Sequence, residues 1–355
     1  MSFELKDQDP PEAPDSAPLR VTVVCGFVGA GKTTVLRQAL AHGSDGPVAV
    51  LMHDRGESAM ELGDGIQVFH FGESMAELVQ ACVGCSLRES LSDAIVAIAR
   101  MRRFVRLVVE CSGLTEPMMV AEVFNDAMEE DKPLAALAQL DQLVTVVDAE
   151  RFWDDAHSAD ELQTRGTSCG VDDTRTLSEV LIEQVEYSTI LVVNRSERVE
   201  AEARERLGAL LRCLNPEAHL MVGSTGAELA RHLLGRRPSA EESIGFQPGW
   251  AKLLEAAPMP VIRSPHWTTG VFRATRPFHP ERLWALIEEE WPGVERCKGY
   301  FWLASQPERC FLWEQTAGVR HYECLGDWWI ATPREEWPTG ELFEQRLQRH
   351  WSIEF

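Results

Sequence analysis

A lysine and two threonines directly follow closely spaced glycines in Gly26-Phe27-Val28-Gly29-Ala30-Gly31-Lys32-Thr33-Thr34. The run fits the phosphate-binding pattern G-x-x-x-x-G-K-[ST], whose glycines let backbone N–H groups curl around a β-phosphate at the positive end of a helix. In that chemistry Lys32 reaches the β- and γ-phosphates and Thr33 Oγ is a ligand for Mg²⁺. Gly26, Gly29, Ala30, Gly31 and Thr34 complete the cradle. A second set is Glu110-Cys111-Ser112-Gly113-Leu114-Thr115-Glu116-Pro117. A carboxylate at the end of a buried strand can hold Mg²⁺ through water or orient an attacking water, and Gly113 lets backbone approach a γ-phosphate, with Ser112 beside it. A third is Cys82-Val83-Gly84-Cys85, two thiols at the start of a helix, where the dipole favours thiolate. Two cysteines supply half of a tetrahedral zinc site.

The surrounding pattern supplies elements able to position these groups. Val21 to Cys25 is an aliphatic run that reads as a buried parallel strand, and Thr34 to His42 is amphipathic and stops at Gly43. Val48–Met52, Ile66–Phe71, Arg106–Glu110, Leu143–Val147 and Ile190–Val193 are further strand-like runs. Ser86–Arg103 has helical spacing, with Leu87, Leu91, Ile95 and Ile98 on one face. Glu110, Asp148 and Asn194 stand at strand C-termini, where ligands bind in open α/β sheets. The alternation predicts a P-loop NTPase domain of mostly parallel sheet over 19–235. An acidic, Pro-rich tail precedes it at 1–18, and a linker follows at 236–265. A smaller α+β domain over 266–355 takes its strands from Thr269–Ala274, Gly299–Ala304 and Arg309–Trp313, its helix from Glu281–Glu290, and an aromatic core from most of the chain's 11 tryptophans.

Composition narrows the classes. The net charge is −22, with 34 basic against 56 acidic residues, which opposes nucleic-acid binding. No apolar run reaches the roughly 18 residues needed to cross a membrane, and the N-terminus has no signal-peptide core. Nine scattered cysteines suit a reducing cytoplasm better than a disulfide framework.

Taken jointly, the P-loop, Glu110-x-Ser112-Gly113-x-x-x-Pro117 and the CxxC-containing stretch resemble the CobW family of metal-chaperone GTPases, relatives of the nickel-insertion GTPases of hydrogenase and urease maturation. Val144–Ala149, Glu183-Gln184, Leu214-Asn215-Pro216, Arg276–Arg282 and Cys297–Trp302 agree with that resemblance. It implies a CobW-type C-terminal domain after the GTPase domain, GTP and Mg²⁺ as ligands, and a transition metal as cargo. It also implies a client metalloprotein as partner and leaves homodimerisation open. Zinc comes first by ligand chemistry, with cobalt and nickel open.

The departures are informative. The family's C-x-C-C motif has lost its middle thiolate to Gly84, and His53, Glu57 or both are expected to complete a site with Cys82 and Cys85. The guanine-reading N-K-x-D is here Asn194-Arg195-Ser196-Glu197: Arg195 can lie along the purine face, but Glu197 is one methylene longer, so guanine selectivity weakens. The family's His-rich segment is absent. The chain stops at Phe355, ahead of the last strand and helix of relatives. Asp54, Glu57 and Glu110 are the candidates for positioning the hydrolytic water. Two other readings stay open: a nucleotide-gated scaffold without metal transfer, and a small-molecule kinase.

Overall fold

Short aliphatic runs without polar alternation suit strands covered on both faces, and the nucleotide-binding half is built on seven of them. The computed structural model describes residues 17–52, 65–70, 83–129, 133–164, 175–235, 264–289, 291–316 and 318–337. The strands are β1 (Leu19–Cys25), β2 (Val48–Met52), β3 (Ile66–His70), β4 (Arg106–Glu110), β5 (Ala138–Asp148), β6 (Ile190–Asn194) and β7 (His219–Val222). They form one sheet in the order β3-β2-β4-β1-β5-β6-β7, every pairing parallel. The central strand β1 therefore lies between β4 and β5, both later in the chain. Its C-terminal end is a crevice flanked by theirs, the position where open α/β sheets bind ligands.

Both faces are covered by α1 (Lys32–Leu40), α2 (Val83–Arg100), α3 (Pro117–Glu129), α4 (Pro133–Leu137), α5 (Phe152–Ala156), α6 (Leu177–Glu186), α7 (Ala201–Leu214) and α8 (Gly226–Leu233). Side chains of β1 alternate between the two layers. Val21 and Val23 pack with Leu91, Ile95 and Ile98 of α2 and with Val120 of α3. Val24 packs with Leu36 and Leu40 of α1 and Leu233 of α8. A third cluster joins Phe152, Leu181, Leu207 and Leu211 to Val147, Leu191 and Val193. Helix starts are well capped where the sequence allows: Thr176 with Glu179 and Thr225 with Glu228 each form a reciprocal capping box. At the edge of the third cluster the Arg206 guanidinium lies 4.6 Å from the Trp153 ring centroid and 5.2 Å from that of Trp267, whose Nε1–H donates to Arg206 O.

One buried cation supports the central strands from below. Arg106 opens β4, donates to Thr22 Oγ1 and Asp141 Oδ2 at 2.7 and 2.8 Å, and reaches the carbonyls of Leu234 and Gly235 at 3.1 and 2.9 Å. It thus ties β1, β4, β5 and the end of α8 together.

The chain divides into two compact units between Val271 and Phe272. The second contains α9 (Pro280–Glu288) and the antiparallel strands β8 (Arg296–Leu303), β9 (Gln306–Thr316) and β10 (Val319–Asp327), ordered β10-β9-β8. Aromatic contacts Phe301–Phe311, Trp291–Trp313 and Trp284–Tyr322 support it. Burial opposes ionisation of Glu314, but Lys298 and Arg296 beside it outweigh that and hold its pKa below the usual carboxylate value.

Three sequence expectations are corrected. Residues 269–274 form no strand, because no described strand lies alongside to supply the ladder, and Phe272 is exposed. The helix expected to reach Glu290 ends at Glu288. β5 starts at Ala138 rather than Leu143, since β1 continues the ladder as far as Leu19. The expected tail and linker fall almost wholly outside the described residues. Among the described residues no helix is long and apolar enough to cross a membrane.

Arg106→Leu leaves Asp141 and two carbonyls without their main donor. It should destabilise the nucleotide unit by about 3–5 kcal/mol in urea unfolding.

Candidate functional site

The phosphate loop leaves β1 at Cys25 and enters α1 at Lys32. Gly26, Gly29 and Gly31 all have positive φ, at 139°, 81° and 92°. At Gly31 the requirement is doubled, since a methyl group there would lie 2.4 Å from Asn194 Nδ2. Thr34 is exposed on the first turn of α1, and Ala30 is buried. Lys32 Nζ donates to the carbonyls of Gly26 and Phe27 at 2.8 and 3.4 Å. Burial lowers its pKa, opposed by the charge of Glu110.

Glu110 ends β4 and faces Lys32 across the crevice. Its Oε1 accepts from Thr33 Oγ1 at 2.5 Å, while Oε2 is buried with no hydrogen-bond partner. Burial raises the Glu110 pKa, opposed by the Thr33 hydrogen bond and by Lys32. A hydroxyl and a carboxylate with an open oxygen are the hard donors that Mg²⁺ prefers, so this pair fits the cation that the phosphate loop implies. Beneath them lie two buried thiols. Cys111 N–H donates to Val24 O at 3.0 Å, which sets Cys111 beside Cys25. The Cys25 thiol and burial together push the Cys111 pKa well up, so this neighbour of Lys32 is a neutral thiol.

The loop after Glu110 is held closely against the phosphate loop. A methyl group at Gly113 would lie 2.4 Å from Val28 Cγ2 and 2.6 Å from Val28 N. Ser112 Oγ and Thr115 Oγ1 are 2.8 Å apart, so Ser112 is bonded within its own loop. From α6, the wholly buried Gln184 donates to Gly113 O and Thr115 O at 3.1 and 3.0 Å. Arg175 pairs with Glu116. The Gln184 brace was not legible as part of the site, since its partners lie about 70 residues earlier in the chain.

On the other flank, Asn194 Nδ2 donates to Ala30 O at 2.8 Å, joining the end of β6 to the phosphate loop. Arg195 adopts positive φ and its guanidinium is paired with Asp148 at the end of β5. Asp148 was expected only as a strand-end carboxylate. Glu197 is 72% exposed, with Arg198 Nε 3.7 Å away. Thus Lys32, Thr33, Glu110, Gly113 and Asn194 converge on the phosphate loop, and Glu197 turns to solvent. His53, Asp54, Glu57 and Cys82 lie outside the described residues, and of Cys85 only the helical backbone is described. Among the described residues no group of three or more His, Cys, Asp or Glu side chains is placed to hold a metal ion.

Comparison with known families accounts for this arrangement. The model for the CobW/HypB/UreG nucleotide-binding domain matches residues 20–222, and that for the cobalamin synthesis protein cobW C-terminal domain matches residues 267–349. The chain belongs to the CobW family. A zinc-regulated GTPase metalloprotein activator of Dictyostelium discoideum is 29% identical over 352 residues, covering 95% of this chain and 74% of that protein. A zinc chaperone of Mycobacterium tuberculosis is 28% identical over 282 residues, which is 78% of this chain and 65% of that protein. The zinc chaperone CobW of Pseudomonas aeruginosa is 28% identical over 244 residues, covering 65% of this chain and 64% of that protein.

Glu110→Gln separates stability from ligand binding. A carboxyl whose pKa is raised by folding contributes stability when protonated and loses it as pH rises through the folded value. The variant's thermal midpoint without ligand should therefore exceed that of the parent at pH 7, and the difference should vanish near pH 4. Mg²⁺-dependent nucleotide affinity should fall at least tenfold, read by calorimetry with and without EDTA.

Proposed function

We propose that this CobW-family protein binds and hydrolyses GTP and couples its nucleotide state to the binding and delivery of a transition metal, zinc first. The observation that carries the nucleotide part is the Thr33–Glu110 contact, with one Glu110 oxygen left open beside Lys32. Thr33 and Glu110 would hold Mg²⁺, which supplies charge neutralisation on the β- and γ-phosphates. Lys32 and the amides of Gly29 to Thr34 would bind the phosphates. Asn194 would support the base side, with Arg195 and Glu197. Glu110 already has Thr33 as partner, so Asp54 and Glu57 stand ahead of it for placing the hydrolytic water.

The metal part draws on sequence and relatives. Cys82 and Cys85, with His53, Glu57 or both, would hold zinc as cargo for a client metalloprotein. The loop that carries Gly113 and Thr115 leads directly into α3, and Glu122 of α3 pairs with Arg88 of α2, the helix that begins at the cysteine motif. That chain of contacts is a physical route by which a γ-phosphate could alter the cysteine site. The exposure of Glu197 supports weakened guanine selectivity within this reading.

Zinc competition with a chromophoric chelator, on reduced protein with and without Mg²⁺ and a non-hydrolysable GTP analogue, tests the coupling. Tight stoichiometric binding that shifts with nucleotide is expected, and Cys85→Ala should abolish it. Weak binding indifferent to nucleotide would leave a nucleotide switch without metal cargo. For the base, Glu197→Asp should raise the preference for GTP over ATP by about tenfold, as one carboxylate hydrogen bond is worth roughly 1.5 kcal/mol or more.

A further inference from the structure

GTP hydrolysis builds negative charge on the phosphoryl oxygens as the bond to the leaving group breaks, and many nucleotide hydrolases meet it with an arginine. No such residue is evident from sequence motifs, but the fold brings one to the phosphate loop. After β5 the chain turns tightly: Glu150 N–H donates to Asp148 Oδ1 at 3.0 Å, and Ala149 N–H to Asn194 O at 3.1 Å. The turn places Arg151 at the start of α5 and folds its side chain back over the loop. A methyl group on Gly29 would lie 3.7 Å from Arg151 Nη1. A shallow cavity here is lined by Val28, Ala30, Asp148, Arg151, Phe152 and Asp155.

The guanidinium is aimed but not consumed. Asp155 Oδ1, one turn along α5, lies 3.5 Å from Nη2, and its N–H donates to Arg151 O at 3.0 Å. Phe152 is fully buried and anchors the turn. Among the described residues Asp155 is the one ion-pair partner of Arg151, so Nη1 keeps its donors on the side of the phosphate loop. Among the described residues at the crevice, the Arg195 guanidinium is paired with Asp148, and Lys32 Nζ donates to Gly26 O in the loop itself. The guanidinium is also half exposed, so an incoming anion can reach it.

We propose that Arg151 is an arginine supplied in cis that contacts the phosphate chain of bound GTP and stabilises charge on the β–γ bridging oxygen during hydrolysis. In that step the water oxygen bonds to the γ-phosphorus while the bond to the bridging oxygen breaks. Its electron pair stays on the β-phosphate of GDP, and the water's proton leaves with inorganic phosphate. Asp155 is a positioning residue that holds the fork by Nη2. The assignment rests on the hydrolysis reading above.

The test uses the full chain, with Arg151→Ala and Arg151→Lys, reading kcat, KM, affinity for a non-hydrolysable GTP analogue and capture of GDP with aluminium fluoride in Mg²⁺ buffer. Thermal melting verifies that both variants fold. Arg151→Ala should lower kcat by about 10²–10³ and lose fluoroaluminate capture, while analogue affinity stays within about threefold of the parent. Arg151→Lys should recover little, since a point charge does not replace the planar fork. An active parent with a variant of unchanged kcat and intact capture overturns the role of Arg151 alone. So does a variant in which analogue affinity falls as far as kcat/KM, because that is ground-state binding. A parent that does not hydrolyse GTP overturns the hydrolysis reading, and this assignment with it.

Discussion

A carboxylate buried at the end of a parallel strand is costly unless something answers its charge. Glu110 is answered in part, by one hydroxyl and by the ammonium of Lys32, and one of its oxygens is left open. Lys32 is in the mirror-image position, with burial working against its charge and Glu110 working for it. The two groups sustain each other across the crevice between β1 and β4. A divalent cation and a phosphate chain would relieve both at once, so the site is built around a shared electrostatic deficit.

Keeping that deficit in place demands a stiff frame, and the frame is polar as well as apolar. Arg106 ties four elements below the sheet, and Gln184 fixes the Gly113–Thr115 backbone above it. Asn215 donates to the carbonyls of Val185, Glu186 and Ser188, closing the turn between α6 and β6. Each satisfies backbone carbonyls that would otherwise be buried without partners. Gly113 then lets two loops approach at van der Waals contact, so displacement of one is felt by the other.

Much of this was legible in the sequence where the signal is local. Fully buried parallel strands read as aliphatic runs, which is why β1, β2, β4 and β6 stand where expected, and the glycine spacing before Lys32 marks the loop. Strand-end polarity also pointed to Glu110. What escaped were partnerships between distant residues: Asp148 with Arg195, Gln184 with Gly113, and Arg151 with Gly29. No periodicity encodes these, because they arise only when the sheet order is known. The misplaced strand at 269–274 has the opposite cause: Val271 and Phe272 favour extended backbone locally, but a strand needs a neighbour.

The sheet order also governs how the protein can be made. Its central strand is the first to be synthesised, while its flanking partners β4 and β5 begin 87 and 119 residues later. At about 5–20 residues per second, an emerging chain holds β1 without both neighbours for several seconds or more. During that interval Val21, Val23 and Val24 have no sheet to bury them, and the phosphate loop has no walls. Ribosome-bound chains shorter than about 148 residues are thus the form most exposed to strand mispairing. The nucleotide can stabilise this fold only after the middle of the sheet has closed.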